Sequence, residues 1–471
     1  MHSFLLVVFD GLRPDMVRPD TTPNLLRFAA LGTQFVRARS VFPSETRVCS
    51  SSVATGCLPR RHGLVANQLA HPLDPSRPLD TGVVDELRAY EKESGTPILE
   101  VPTLADLLHA AGRDCAVLSS GTTGQTFLLN PRADDHAQLT LSAHGPHACS
   151  TAGRRLLADL SHPPTPPAER ADWIAEVFRT RFLPAPPAAT ILWLCEPDTT
   201  GHYGGLGSRA QFAALRVADA AFGRILDDWE AGPFRENLHI AVASDHGHAG
   251  ITGHQDVGAA LAAVPAFAGC TLLGGSSCGI FVPDADAGRI TSLAEWLTRQ
   301  DWCGAVYAAD GADLPPGVLP RSTLLADHRR AAHVLFMLRT TPGPSAAGLP
   351  GTTLFDGALA IGAGTHGGLS AAEMRIVLTL AGSRIAAGKI SDWPAGLIDL
   401  APTALALLEV DGAPAMDGRV LTEVFFNGAE PAAAPSPETW EAVAPGYAQR
   451  LARTRLGRHV YIDEGYRHST P

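Results

Sequence analysis

A run of seven mostly apolar residues, LHIAVAS at 238–244, is followed at once by Asp245 and His246. The run is short, it does not alternate polar with apolar, and Glu236-Asn237 stands before it. That pattern reads as a strand buried on both faces, the kind found inside a parallel sheet covered by helices. It constrains the fold strongly, because such a strand needs both layers of cover. A carboxylate and an imidazole at its C-terminal edge stand where open α/β sheets place their ligands. Both are zinc ligands. Alone, the Asp-His pair leaves a loop carboxylate orienting a histidine equally open.

Other stretches repeat the arrangement. SFLLVVF (3–9) reads as a strand, followed by Asp10 and by Gly11, which lets the chain turn sharply. TILWLC (190–195) is a third buried strand; Asp198 follows it and His202 comes four residues later, a spacing that closes on one metal if the loop coils into a helical turn. CAVLSS (115–120) leads into the Gly/Thr loop GTTGQT, and MRIVLTLAG (374–382) is a late strand. His366 lies between glycines in GTHGG. Helical patterns at 22–32, 103–112, 171–183, 211–229 and 399–409 supply the cover. SSSVATG, ending at Gly56, begins a further helix, with Thr46 in the turn before it. A hydroxyl at a helix N-terminus is placed for a phosphate, although on its own Thr46 reads better as a cap.

The expected fold class is therefore α/β: a mostly parallel central sheet with helices on both faces, formed by residues 1–247 and 364–425. The composition shifts between the two parts, and 248–363 reads as a small α+β cap insert. Residues 426–471 read as a linker and a C-terminal tail with a helical start, and 74–98 as an exposed excursion. Residues 131–150 give no pattern. At 471 residues the chain can bury a large core. Its net charge of −11 argues against nucleic-acid polymers and anionic membranes as partners. No apolar stretch approaches a membrane span, and the first strand begins almost at the initiator without a secretory signal. The eight cysteines form no CxxC pair. Buried free thiols in a reducing cytoplasm are the expectation.

Asp10, Thr46, Asp198, His202, Asp245, His246 and His366 together provide three carboxylates, three imidazoles and a hydroxyl from five segments. That inventory suits two divalent ions at a hydrolytic centre. FDGLRPD, PSETRVCSSSVATGCLPRRHGLVAN, EPDTTGHYGG, SDHGH and GTHGG resemble, in order, the motifs of the alkaline phosphatase superfamily. The closest likeness is to its nucleotide pyrophosphatase/phosphodiesterase branch, over roughly residues 3–425. Asn67 stands 21 residues after Thr46, the family's spacing between nucleophile and phosphate-binding asparagine.

The resemblance implies that Asp198, His202 and His366 hold one metal and Asp10, Asp245 and His246 the other, both taken as zinc. It also implies Thr46 as nucleophile and as a metal ligand through its oxygen, a phospho-threonine intermediate, and a small-molecule phosphorus ester as substrate. Three positions depart from the family. Arg47 replaces an aromatic that stacks on a nucleobase, Cys49 replaces an asparagine, and His248 replaces a methionine. Arg47 is placed to clamp a phosphate or carboxylate, and His248 reads as a packed residue or one that orients a ligand. A phosphonoacetate hydrolase-like C–P hydrolase and a phosphomonoesterase stay open as alternatives, as does a homo-oligomer.

Overall fold

The computed structural model describes residues 1–71, 74–311 and 313–468, with side chains for all of these but 74–76. At its centre is an eight-stranded sheet. In chain order its strands are β1 (Ser3–Phe9), β2 (Thr33–Phe35), β3 (Cys115–Ser119), β4 (Leu139–Ser142), β5 (Ala189–Leu194), β6 (Leu238–Ala243), β7 (Leu378–Ala381) and β8 (Lys389–Ser391). The spatial order is β8-β2-β7-β6-β1-β5-β3-β4. From β6 to β4 every pairing is parallel, whereas β7 runs antiparallel to both neighbours. β4 and the short turn at Pro146–Ala148 occupy the stretch that showed no pattern in the sequence.

Side chains of β1 alternate between two cores. Phe4, Leu6 and Val8 join the cluster that includes the helices Thr46–Thr55 and Leu400–Leu408. Leu5, Val7 and Phe9 join the other, with helices Pro23–Leu31, Pro167–Val177 and Arg209–Ala231. This is why β1 is a continuous apolar run, and it confirms the expected α/β class. Because β1 lies between β5 and β6, the three strands deliver Asp10, Asp198 and Asp245 to one sheet edge. Register fixes their depth: Phe9 pairs with Leu194 and Val8 with Ala243. Two backbone bonds, Asp10 N–H to Leu194 O (2.9 Å) and Asp198 N–H to Asp10 O (3.0 Å), lock the exits together.

After His248 the chain builds two smaller sheets. One holds Ala249–His254 and Gly364–Thr365, whose antiparallel pairing brings His366 back beside His248. The other is five-stranded and covered by the helix Ala287–Thr298.

Two sequence expectations need correction. The stretch 74–98 is not an excursion throughout, because the helix Val84–Ser94 buries Val84, Leu87 and Tyr90. The tail does not start as a helix. Strands Ser436–Ala444, Tyr447–Leu456 and His459–His468 form a three-stranded antiparallel sheet. Its two-residue turns contain Gly446 and Gly457, at φ 74° and 60°, and these are the hairpin signals that the apolar spacing of 439–451 obscured.

The tail sheet ties the smaller sheets to the centre. Gln449 accepts from Val306 N–H (2.9 Å) and donates to the carbonyls of Val306 and Gly317 (both 2.7 Å), while Tyr461 donates to Asp399 (2.9 Å). Gln449→Leu would remove the side-chain partner of three buried backbone groups. It should lower the unfolding free energy measured in urea by about 2–4 kcal/mol without changing metal content.

Candidate metal centre and nucleophile

The sheet edge gathers all seven residues singled out from the sequence. Thr46 is the first residue of its helix, one turn earlier than the serine run suggested, and its Oγ1 lies 3.1 Å from His246 Nε2. The helix can approach closely because Val48 to Thr55 are all buried, most of them small. The Ser50 and Ser51 hydroxyls donate back to Arg47 O. Gly56, at φ 63°, ends the helix. The loop after β5 coils into the helix Asp198–Gly204, so Asp198 and His202 face each other across one turn.

Two clusters result. His202 Nε2, His248 Nε2 and His366 Nε2 lie 3.2, 2.9 and 3.5 Å from one oxygen, Asp198 Oδ1. His246 Nε2 lies 3.5 Å from Asp10 Oδ1 and 3.2 Å from Asp245 Oδ2. The rings of His246 and His366 stack with centroids 3.6 Å apart, which joins the clusters.

The hydrogen bonds behind these atoms decide what the clusters are for. His202 Nδ1 faces Gly364 O (2.7 Å), His246 Nδ1 faces Gly247 O (3.1 Å), and His366 Nδ1 faces Ser44 O (2.9 Å). A carbonyl can only accept, so each Nδ1 carries a proton, and Nε2 presents a lone pair where the ring is neutral, as burial keeps His246 and His366. The carboxylates show the same division. Asp10 Oδ2 accepts from Trp193 Nε1 (2.8 Å), and Asp245 Oδ1 accepts from Gly11 N–H (2.9 Å) and His246 N–H (3.0 Å). Asp10 Oδ1 and Asp245 Oδ2 are buried without any partner. With the carboxyls ionised, lone pairs of His246 and His366 nitrogen thus face lone pairs of oxygen at 3.2–3.5 Å. That is repulsive unless a cation sits among them. Donors bound at about 2.0–2.1 Å to a tetrahedral ion stand roughly 3.3 Å apart, so the spacing fits zinc-like ligation.

The electrostatics carry the same conflict. Burial, with Asp245 and Asp198 nearby, holds the Asp10 carboxyl well above its ordinary value, and burial pushes Asp245 up to about 8. Burial takes His246 down to about 3 and His366 well below its usual range. Burial opposes ionisation of Asp198 as well, but His202 and His248 outweigh it and pull that carboxyl low.

Asn67 and Arg47 stand beside Thr46. Asn67 Oδ1 accepts from Arg47 N–H (3.2 Å), leaving its NH2 group as the donor for a ligand. Several supporting residues were not legible in the sequence. Glu45 accepts from Asn67 N–H and from Ser277 Oγ (3.1 Å), so it couples the turn before Thr46 to the five-stranded sheet. Trp193 orients Asp10, and Ser44 O orients His366. His248 is fully buried in a slot bounded by Gly11, Gly201 and Gly364; a Cβ on Gly11 would come within 2.6 Å of its ring. Its bond to Asp198 (2.9 Å) is that of a buried residue orienting a ligand, and its ring nitrogen also lies close enough to Asp198, His246 and His366 to share an ion with them.

Comparison with known proteins agrees with this geometry. The family model "Type I phosphodiesterase / nucleotide pyrophosphatase" matches residues 4–268, more than half of the chain. Human bis(5'-adenosyl)-triphosphatase ENPP4 is 25% identical over 246 residues, covering 52% of this chain and 47% of that protein. The venom phosphodiesterase of Macrovipera lebetinus is 21% identical over 253 residues, 52% of this chain and 25% of that one. The matches thus span about half, or less, of the curated relatives' length. Among solved structures, human ENPP5 aligns with a TM-score of 0.63 at 18% identity, covering 91% of this chain and 100% of its own. A murine ENPP5 structure, an inactive threonine-to-alanine variant in complex with AMP, aligns at TM-score 0.61 and 18% identity, covering 87% of this chain and 96% of its own. Motifs, sheet-edge geometry and family match coincide: the chain belongs to the type I phosphodiesterase/nucleotide pyrophosphatase family of the alkaline phosphatase superfamily.

Proposed function

We propose that the protein is a metal-dependent phosphoric ester hydrolase that cleaves phosphodiester or pyrophosphate bonds in a small substrate through a phospho-threonine at Thr46. The observation that carries this is the opposition of unpartnered carboxylate oxygens to imidazole lone pairs beside the Thr46 hydroxyl. Asp198, His202 and His366 would hold one divalent ion, and Asp10, Asp245, His246 and the Thr46 oxygen the other, zinc by the chemistry of the donor set. When bound, the ions supply Lewis acidity and lower the pKa of coordinated hydroxyl and water.

The chain's own residues do the rest. Thr46, fixed at the start of a buried helix, presents Oγ1 to the phosphorus from one direction. Its oxygen gives up the hydroxyl proton to solvent and forms the new P–O bond as the bond to the leaving group breaks and the leaving oxygen keeps the electron pair. The Asn67 NH2 donates to a non-bridging oxygen, because its carbonyl is already engaged by Arg47 N–H. Water then attacks the phosphorus, the bond to Oγ1 breaks, and Thr46 is restored as the hydroxyl. The family match supports a diester or pyrophosphate, and AMP in the murine relative supports a nucleotide as one part of it.

Turnover of bis(p-nitrophenyl) phosphate, with and without a chelator, tests the reading. The zinc-loaded protein should hydrolyse it, lose at least about 100-fold in rate on chelation, and recover when zinc is restored. A protein carrying two ions that turns over no diester and no pyrophosphate would refute it.

A further inference from the structure

Arg47 is the second residue of the nucleophile's helix, and its guanidinium has no hydrogen-bond partner among the described residues. Its Nε is buried and unpartnered. The nearest carboxylate, Asp80, stands 3.8 Å from Nη2, and that oxygen is already accepting from Gly82 N–H at 2.8 Å. Yet the side chain is only 19% exposed. The terminal nitrogens of Arg47 lack the acceptors that other covered arginines have: Arg419 donates to Glu423 and to Pro394 O, and Arg453 to Glu438 and Thr323 O, although the Nε atoms of these two are unpartnered as well. A guanidinium mostly covered by protein yet without an acceptor is one that an anionic ligand can satisfy.

The direction from which it arrives is also fixed. Gly82 backs the guanidinium, with space for a Cβ ending 3.5 Å from Cζ. On the other side of the residue, Arg47 N–H donates to Asn67 Oδ1 (3.2 Å), and Thr46 immediately before it faces His246. The guanidinium therefore lies beside the loop at 80–82, on the residue next to Thr46. A planar fork of donors in that position suits two oxygens of one anionic group.

Resting on the hydrolase reading above, we propose that Arg47 selects substrates carrying a second negative charge next to the reacting phosphorus. The charge can be the second charge of a terminal phosphoryl group, an adjoining phosphate, or a carboxylate. Arg47 takes the place of an uncharged contact to the leaving group and binds that charge bidentately.

The test compares kcat/KM for four substrates in wild type, Arg47→Met and Arg47→Lys. The monoanionic substrate is methyl p-nitrophenyl phosphate. The others are p-nitrophenyl phosphate, p-nitrophenyl diphosphate and phosphonoacetate, which place the second charge on the same phosphorus, on a neighbouring phosphate and on a carboxylate. In Arg47→Met the ratio of the favoured dianionic substrate to the monoanionic one should fall roughly 10- to 100-fold, as expected for charge-assisted bonds. Arg47→Lys should restore part of it. The substrate whose ratio collapses identifies the source of the charge. Ratios unchanged within about twofold for all three overturn the proposal. Pyrophosphate binding by calorimetry is read in parallel. If wild type turns over nothing, the hydrolase reading falls, and weaker pyrophosphate binding in Arg47→Met still upholds the anion site while unchanged binding overturns it.

Discussion

Thr46→Ala should lower turnover of every phosphorus ester by about 10⁴-fold or more, while both metal ions stay bound. The loss should appear in kcat, because the oxygen proposed to form the covalent bond is gone. The fold should be little affected. The Thr46 side chain makes no capping bond to its own helix, and its hydroxyl faces His246 Nε2 at 3.1 Å, a contact to the site and not to the core. Unfolding free energy should therefore change by less than about 1 kcal/mol. Metal analysis separates this outcome from site collapse, since the three carboxylates and three imidazoles remain. Thr46→Ser, which keeps the oxygen but loses the methyl group that fixes its rotamer, should retain measurable rate. Rapid quenching with ³²P-labelled substrate should trap label on wild type and none on Thr46→Ala. A Thr46→Ala protein working near the wild-type rate would move the nucleophile elsewhere.

How much of this could be read from the chain depends on what each feature rests on. The buried strands could be read because a strand covered on both faces must be apolar throughout, as β1, β5 and β6 are. The residues after them could be read because the end of such a strand is where ligands bind. That β1 lies between β5 and β6 could not, since strand order follows from packing of distant segments. It is this order that turns three separate Asp residues into one centre. The tail defeated periodicity for a local reason: the apolar spacing of 439–451 suits a helix, whereas turns at Gly446 and Gly457 make it a meander. Glu45, Trp193 and Ser44 carry no signal in the sequence because their roles are hydrogen bonds to distant residues: Glu45 to partners 22 and 232 positions away, Trp193 to one 183 away and Ser44 to one 322 away. The place of His248 depends on three glycines from three segments that leave room for its ring.

Asp245→Asn should reverse sign with metal: it should stabilise the metal-free protein and destabilise the loaded one. Without metal, Asp245 Oδ2 is buried, unpartnered and 3.2 Å from the lone pair of His246 Nε2. Burial already pushes that carboxyl up to about 8, a measure of how poorly the site tolerates its charge. An asparagine can keep Oδ1 for Gly11 N–H and His246 N–H and turn its NH2 toward His246 Nε2, replacing repulsion with a hydrogen bond. In chelator at pH 9, where the wild-type carboxyl is ionised, the denaturation midpoint of the variant should rise by the equivalent of about 1–3 kcal/mol at unchanged slope, and the gain should shrink below about pH 8, where the protonated carboxyl can itself donate to His246. With zinc in 1,000-fold excess over its dissociation constant, wild type should gain about 4 kcal/mol per occupied site. The variant, lacking one anionic ligand at the Asp10–His246 position, should gain about half as much, bind one ion in place of two, and lose at least about 100-fold in rate. If the substitution destabilises both forms equally, Asp245 acts as a structural carboxylate holding the turn after β6. The crossing of the two stability orders is what ligation demands, because the same oxygen that costs stability in the empty site is the one a cation would occupy.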